Sequence, residues 1–447
     1  MSSEVLGLVM LAIMVFAILI GFPTAFTLMS LGVTFGFLGF AAQGNGFIVF
    51  DLVVQRTFFV MQNDTLIAIP LFLFMGYIIE RAGVLEDLFL SIQVLMGRVP
   101  GSIGVATLIT GALFATATGI VGASVTLLGL MSLPQMLARG YKPSFAAGII
   151  VAAGTLGILI PPSVLLILYG FIAGVSVPRL YAAAFIPGFL LAGLYVAYIL
   201  WRARDPSWAP RPTKEEMEAG RGDAVGLFFR GLAPIVLLIL FVLGAIFFGI
   251  ATPSEGAALG AVGGLLLAAL HHKLSFQMLR ESVFLTVRTA AIVGWLLVGS
   301  SIFAAVFARL GSAELVGNFF DSLGLETTMF VLMVQAIIFI IGWPLEWTEI
   351  VIIFIPLFLP ILIAYDVDLV WFGVLSAVNM QTAFLSPPVA MSAYYLKNVA
   401  PKTVTLNMIF KGMYPFIFIQ VIALVLLYVF PEMTAFFPDL IYGTQFR

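Results

Sequence analysis

The sequence predicts an all-α polytopic membrane protein of two inverted halves, each carrying a re-entrant hairpin and then a helix broken at a Pro-Pro pair. Three observations lead there: composition, an internal repeat and the placement of charge. Of the 447 residues, 62% are hydrophobic and only 9% charged, against roughly half and a quarter in a soluble domain. Apolar stretches long enough to cross the hydrocarbon core recur from Val5 to Phe430, and only the segment from Trp201 to Arg230 is dense in charge.

The repeat rests on three local similarities in the same order. GFPTAFTLMSLG at 21 matches ATPSEGAALGAV at 251, aligning Pro23 with Pro253, an offset of 230. ERAGVLEDL at 80 resembles ARLGSAELV at 308, an offset of 228, and IPPSV at 160 matches SPPVA at 386, an offset of 226 on the prolines. Together they predict a duplication, with one half over 1–200, a cytoplasmic linker over 201–230 and a second half over 231–447.

The first half reads as helices near 5–20, 24–41 and 62–81, then a Gly/Ala/Thr-rich stretch over 100–135. A segment over 145–172, interrupted around 154–163, and a helix over 179–200 complete it. The stretch 100–135 is read as a hairpin because either arm beside Thr116-Ala117-Thr118-Gly119 holds only about 15 residues, short of the ~20 a crossing needs. The second half is read the same way, with a hairpin over 329–363 and a broken helix over 370–396. Five crossings per half, an odd number, require the second half to be inverted. With the linker inside, sixteen of the twenty Lys and Arg fall on the cytoplasmic face, leaving Arg56, Arg179, Arg309 and Arg447 outside. That is the sense of the positive-inside rule, and it places both termini outside.

Composition also excludes function classes. A net charge of -2, with no basic clusters interleaved with aromatics, gives no nucleic-acid footprint. Zero cysteines exclude disulfides, thiolate metal sites and cysteine nucleophiles. No Ser-His-Asp or HExxH pattern occurs, and GIVGAS at 119 lacks the lysine of a phosphate loop, so neither an enzyme nor an ATP-driven machine is expected. The first apolar run has no cleavage pattern and reads as a retained helix.

The chemistry is expected at the breaks. A helix interrupted inside a membrane exposes N–H and C=O groups that lipid cannot satisfy, so breaks persist only against protein or a watery cavity. Four are visible: the tip Ala115-Thr116-Ala117-Thr118-Gly119, the run from Gly154-Thr155 through Pro161-Pro162-Ser163, the tip Gly342 to Glu349, and the run from Asn379-Met380-Gln381-Thr382 through Ser386-Pro387-Pro388. Proline lacks an N–H and disfavours helix before it, which frees upstream carbonyls as cation ligands. Hydroxyl and amide side chains add neutral oxygens that suit Na⁺, and half-helix N-termini suit an anionic substrate. The alternative is structural: Ser and Thr return hydrogen bonds to their own helix, and prolines merely kink.

Glu346 and Glu349 sit in the second tip, where a carboxylate either holds a cation or proton or caps the following arm. Glu255, after Thr252-Pro253-Ser254, reads as a first-turn capping residue. His271-His272 reads as interfacial, with no nearby carboxylate partner.

At these residues the sequence resembles the large membrane subunit of TRAP transporters, the tripartite ATP-independent periplasmic systems of bacteria and archaea. The most specific stretch is LPQMLARGYKPSFAAGIIVAAGTLGILIPPSVLLILYG at 133–170. IPLFLFMGYIIERAGVLEDL at 69–88, TPSEGAALGAV at 252–262, IIFIPLFLPI at 352–361 and SPPVAMSAYYL at 386–396 support it. The resemblance implies elevator-type ion-transporter architecture and Na⁺-driven uptake of organic anions, typically carboxylates, through the inner membrane. It also implies a periplasmic substrate-binding protein and a small four-helix membrane subunit as partners. Carried over by position, Na⁺ falls to Thr116, Gly119, Gly154 and Thr155 in the first half, and to Trp347, Thr348, Glu349, Asn379, Gln381 and Thr382 in the second. Substrate falls between them, near Thr116, Thr118, Gly119, Ser163, Trp347 and Ser386, with Pro161, Pro162, Pro387 and Pro388 as the breaks. The chain departs from the family pattern at both tips, with Ala-Thr-Ala-Thr-Gly for Ser-Gly-Ser and Glu346-Trp347-Thr348-Glu349 for Asp-Thr-Thr-Pro. A self-sufficient Na⁺- or H⁺-coupled carrier and a non-transporting scaffold or sensor are the competing readings.

Overall fold

The computed structural model describes residues 2–96, 99–211, 226, 228–387 and 389–443. Its first elements are α1 (Ser3–Ile20), α2 (Thr24–Ala42), α3 (Ile48–Met61), α4 (Ala68–Arg81) and α5 (Val84–Leu95). The first hairpin is α6 (Ser102–Thr118) and α7 (Val121–Ala138), the first broken helix is α8 (Pro143–Thr155) and α9 (Val164–Ala173), and α10 spans Val177–Arg202. The second half begins with α11 (Ala233–Phe247), α12 (Pro253–Leu270), α13 (Phe276–Arg309) and α14 (Ser312–Ser322). Its hairpin is α15 (Thr327–Ile341) and α16 (Trp347–Ala364), followed by α17 (Leu369–Leu385), α18 (Met391–Val399), α19 (Leu406–Val429) and α20 (Glu432–Tyr442). Among the described residues nine helices are long and apolar enough to cross a membrane, or ten if the bent pair α3 and α4 counts as one span. The chain is a polytopic all-α membrane protein.

Local chemistry sets the helix ends. The Ser275 and Thr405 hydroxyls accept from Met278 N–H at 3.1 Å and Met408 N–H at 3.3 Å, starting α13 and α19. Asp368 accepts from Val370 N–H at 2.7 Å at the head of α17. Glu255 is the cap the sequence suggested: Thr252 N–H donates to its Oε2 at 2.8 Å, and its own N–H donates to Thr252 Oγ1 at 3.3 Å.

The helices sort into two packed groups. In one, α2 and α3 pack on α13, α4 packs on α12 and α13, and α1 on α2. In the other, α8 lies between the hairpin arms α6 and α7 on one side and α19 on another. The halves interlock there: α7 packs on α18, while α9 packs on the start of α16. Hairpin, broken helix and long helix recur in that order in both halves. At the α8–α19 crossing the backbones touch, since a Cβ on Gly148 would lie 2.1 Å from Gly412 O, and one on Gly412 1.9 Å from Ser144 O. Such approach between membrane helices requires small residues. Gly412→Val is expected to cost about 2 kcal/mol or more, read as a lower melting midpoint; an unchanged midpoint would refute the close crossing.

Several expectations change. The hairpin arms are 17 and 18 residues long, not about 15, and run over 102–138 rather than 100–135, because Leu137 and Ala138 continue the helix up to Arg139. Helix α7 is thereby one of the nine helices long enough to cross, so arm length alone does not make the hairpin re-entrant. Helices α3 and α5 were not anticipated. The 56° bend between α3 and the Asp64–Arg81 segment divides one apolar run into two short helices. His271 does have a carboxylate nearby: its Nε2 lies 3.6 Å from Asp87 Oδ2, brought in from α5, far upstream in sequence. Of the linker, 201–211, 226 and 228–230 are described, and in the first of these Lys142 Nζ lies 3.9 Å and Arg202 Cζ 3.6 Å from the Trp208 ring centroid; 212–225 and 227 lie outside the described residues.

Candidate functional site

At the first tip, α6 continues through Thr118 because Ala and Thr tolerate helix. The chain reverses at Gly119 (φ 65°) and Ile120 (extended) instead of across the whole Ala115–Gly119 stretch. Gly119 is the first residue there without a Cβ to oppose left-handed geometry. Facing it, α8 ends at Thr155, a 3₁₀ turn covers Leu156–Ile158, and α9 resumes at Val164 after Pro161-Pro162-Ser163. Tip and break touch directly: a Cβ on Gly157 would lie 2.2 Å from Ala115 O, one on Gly119 2.9 Å from Val164 Cγ2, and one on Gly154 2.4 Å from Val125 Cγ2. These contacts fall at or beside Thr116, Gly119, Gly154 and Thr155, the sequence-predicted set.

The second half is built differently. Between α15 and α16 runs Gly342 to Glu346, and α16 opens with Trp347-Thr348-Glu349 before a π-helical stretch, Ile350–Phe354. π-helical turns are rare and concentrate at functional sites. Trp347 is buried, Thr348 and Glu349 half-buried and Glu346 exposed. Helix α17 passes unbroken through Asn379, Gln381 and Thr382, and the interruption is Ser386–Ala390, correcting the expectation that it begins at Asn379. The first broken helix has Gly154 and Gly157 to loosen it early. The second has no glycine between Gly373 and Pro387, so helix persists until proline forces Ser386 into the extended region (φ −88°, ψ 119°). Ala390 closes the break at φ 32°, a left-handed geometry uncommon without glycine. Pro388 and the side chain of Thr118 lie outside the described residues. The tip meets the last turn of α17 before the break, a Cβ on Gly342 lying 3.1 Å from Ala383 Cβ, and Val389 of the break lines one cavity with Gly342 to Glu346.

The predicted site residues of the two halves differ in how their polar atoms are satisfied. In the first, Thr116 Oγ1 donates to Ala112 O at 2.6 Å, Thr155 Oγ1 to Ala152 O at 2.9 Å, and Ser163 Oγ to Ile158 O, so each hydroxyl is returned to nearby backbone. In the second, Thr382 Oγ1 does the same to Asn379 O at 2.6 Å. Asn379 spends its amide donors on Gln335, at 2.7 Å to O and 2.8 Å to Oε1, while Gln335 Nε2 donates to Ser376 Oγ at 3.0 Å. Asn379 Oδ1 then has no partner although the residue is 2% exposed, and Ser386 Oγ and Gln381 Nε2 are likewise buried and unpaired. Gln381 points to α19, where Gln420 Nε2 donates to its Oε1 at 3.3 Å. Buried polar atoms left without partners are costly, and a free buried carbonyl oxygen is a cation ligand in waiting. Sequence reasoning missed Gln335 and Gln420; the available signal was a single glutamine in the middle of each apolar helix.

Glu349 both caps and bridges. Its Oε2 accepts from Glu346 N–H at 3.2 Å, the capping role, while its Oε1 accepts from the hydroxyl of Thr24 on α2. A cavity of about 260 Å³ opens between α1 and α2 on one side and this tip with Ala383 and Phe384 on the other. Its lining holds both Glu346 and Glu349 and no Lys or Arg, so it suits a cation and repels an anion. A larger cavity of about 520 Å³, lined by Arg179, Asp368 and Glu432, lies at the far ends of α15 and α17 from the tip and break.

Comparison with known proteins fits this arrangement. The SiaM large permease protein of a sialic acid TRAP transporter from Vibrio cholerae is 27% identical over 95% of this chain and 96% of its own length. The DctM large permease protein of a C4-dicarboxylate TRAP transporter from Pseudomonas aeruginosa is 30% identical over 86% and 88%. Among solved structures, the Alcanivorax borkumensis YdaH transporter superposes with a TM-score of 0.60 over 86% of this chain and 88% of that one, at 16% identity, a likeness of fold. The family model described as the DctM component of the tripartite ATP-independent periplasmic transporter matches residues 10–433, and the chain belongs to that family.

Proposed function

We infer that this chain is the translocating subunit of a Na⁺-coupled secondary transporter for organic anions. Its hairpins and broken helices form one body, which moves in elevator fashion against the α1–α4 and α11–α13 group. The observation that carries the reading is the pairing of each hairpin tip with its own helix break, with unpaired buried oxygens beside the second pair. The cation ligands are Asn379 Oδ1 with the second-tip residues Trp347, Thr348 and Glu349, and backbone oxygens near Thr116–Gly119 and Gly154–Thr155. The substrate anion lies between the tips, near Ser163 and Ser386, away from the Glu346–Glu349 cavity. The relatives named above are called sialic acid and C4-dicarboxylate permeases, and a third, from Oleidesulfovibrio alaskensis, an isethionate permease, so organic anions are the common cargo class.

That third relative is the permease protein DctMQ, 28% identical over 94% of this chain but only 66% of its own length. The remainder leaves room for a fused small subunit, which supports a small four-helix partner here beside a periplasmic binding protein. The two halves are inverted, and both termini lie on the extracytoplasmic side of the inner membrane, in keeping with the charge distribution.

Reconstituted in vesicles, uptake is expected only with the binding protein, the small subunit and an inward Na⁺ gradient together, and without ATP. Robust uptake by this chain alone would replace the tripartite reading with the self-sufficient carrier. No transport under any of these conditions, with the partners bound, would favour the scaffold reading.

A further inference from the structure

The Thr24–Glu349 hydrogen bond joins the two packed groups, although its partners are 325 positions apart in sequence. Thr24 is the first residue of α2, set by Gly21, Phe22 and Pro23, and α2 is held by α13. Glu349 is in the first turn of α16, whose tip abuts the last turn of α17 before the second break. The carboxylate is thus claimed from both sides: Oε2 by the tip's own backbone and Oε1 by a hydroxyl of the opposing group. The 260 Å³ cavity spans the same seam, with Ile18, Phe22 and Thr24 on one wall and Gly342, Glu346 and Ala383 on the other.

We propose that Thr24–Glu349 is a latch that holds the second hairpin tip against the α1–α2 wall while the adjoining cavity lacks a cation, and that a coupling cation entering the cavity releases it. The proposal rests on the cation-coupled reading above. A hydrogen bond to a full carboxylate charge is about twice as strong as one between neutral groups. A cation settling on Glu349 neutralises that charge, so the latch is strong in the empty carrier and weak in the loaded one. Linkage makes the effect reciprocal: whatever the latch takes from cation affinity, the cation takes from the latch. The consequence for transport is tight coupling, because the unloaded hairpin is kept from crossing with its charge exposed.

Thr24→Val removes the donor at nearly constant volume. Measured as Na⁺-dependent thermal stabilisation of the purified full chain, its half-saturating Na⁺ concentration is expected to fall about fivefold or more, with Thr24→Ser restoring the wild-type value. A rise in that concentration would make Thr24 a cation ligand, and no change would make it structural; either overturns the latch. A wild type without Na⁺ stabilisation would instead overturn the cation reading itself. A second measurement does not depend on the variant folding well. The chain contains no cysteine, so Phe22→Cys with Leu345→Cys, on opposite walls of the cavity, makes the only pair available for cross-linking. Its yield is expected to drop when Na⁺ replaces choline, and an equal yield in both would refute release.

Discussion

Gly157→Val is expected to abolish uptake and to destabilise the chain by about 3 kcal/mol, the upper end of what overpacking costs. Gly157 sits in the 3₁₀ turn that ends α8, and the point where its Cβ would stand is 2.2 Å from Ala115 O and 2.3 Å from Ala115 C. Neither obstacle is the free end of a side chain. Ala115 is backbone in the last turn of α6, and its carbonyl already accepts from Gly119 N–H at 2.7 Å, the bond that closes the tip. Relief therefore requires the tip to separate from the break, which pulls Thr116 and Gly119 away from Gly154 and Thr155. Gly157→Ala is expected to give an intermediate loss. The check is the melting midpoint of the purified variants together with substrate uptake in vesicles. Wild-type uptake by Gly157→Val would show that the first tip and break need not touch for transport.

Much of this arrangement was legible in the sequence, because the bilayer penalises what it cannot solvate. Hairpins and breaks announce themselves where apolar runs admit glycine, proline and hydroxyls, which is why Gly119, Pro161 and Pro387 locate them. What the residues did not disclose was where a helix gives way. Asn379, Gln381 and Thr382 are polar, but polarity alone does not break a helix, and α17 continues to Leu385, with Ser386 leaving the helix just before Pro387. The relation of Glu349 to Thr24 was equally hidden, since it depends on how two packed groups face each other across 325 positions. Capping and cation binding do not compete for the same oxygen of Glu349. Its two oxygens take different partners, so the capping role leaves Oε1 for the seam. The hydroxyls of Thr116, Thr155 and Thr382 each donate to their own helix, which fixes their orientation and leaves their oxygen lone pairs as acceptors.

The sharper test of the cation site is at Asn379, whose Oδ1 is buried without a partner. Thr155→Val and Thr382→Val remove hydroxyls that donate to their own helices, so each is expected to change stability by less than about 1 kcal/mol, and a lost Na⁺ response in either would mark its oxygen as a cation ligand. Asn379→Leu is different. It removes the one buried side-chain oxygen of the predicted cation set that the structure leaves without a partner, and it strands Gln335 Oε1, which now accepts from Asn379 Nδ2 at 2.8 Å. Stranding that acceptor costs about 1–3 kcal/mol of stability in itself, so a lower melting midpoint alone proves nothing. The diagnostic quantity is the rise in midpoint produced by Na⁺, which ligand linkage ties to site occupancy. Asn379→Leu is expected to lose that rise and at least about a hundredfold of uptake, a loss near 2.7 kcal/mol in transition-state terms. Gln335→Ala, which breaks the same network but spares Asn379 Oδ1, is expected to lower the midpoint and retain the rise. If Asn379→Leu kept the wild-type Na⁺ response, the free oxygen at Asn379 would not be a ligand, and the cation would have to be held by backbone carbonyls and Glu349 alone.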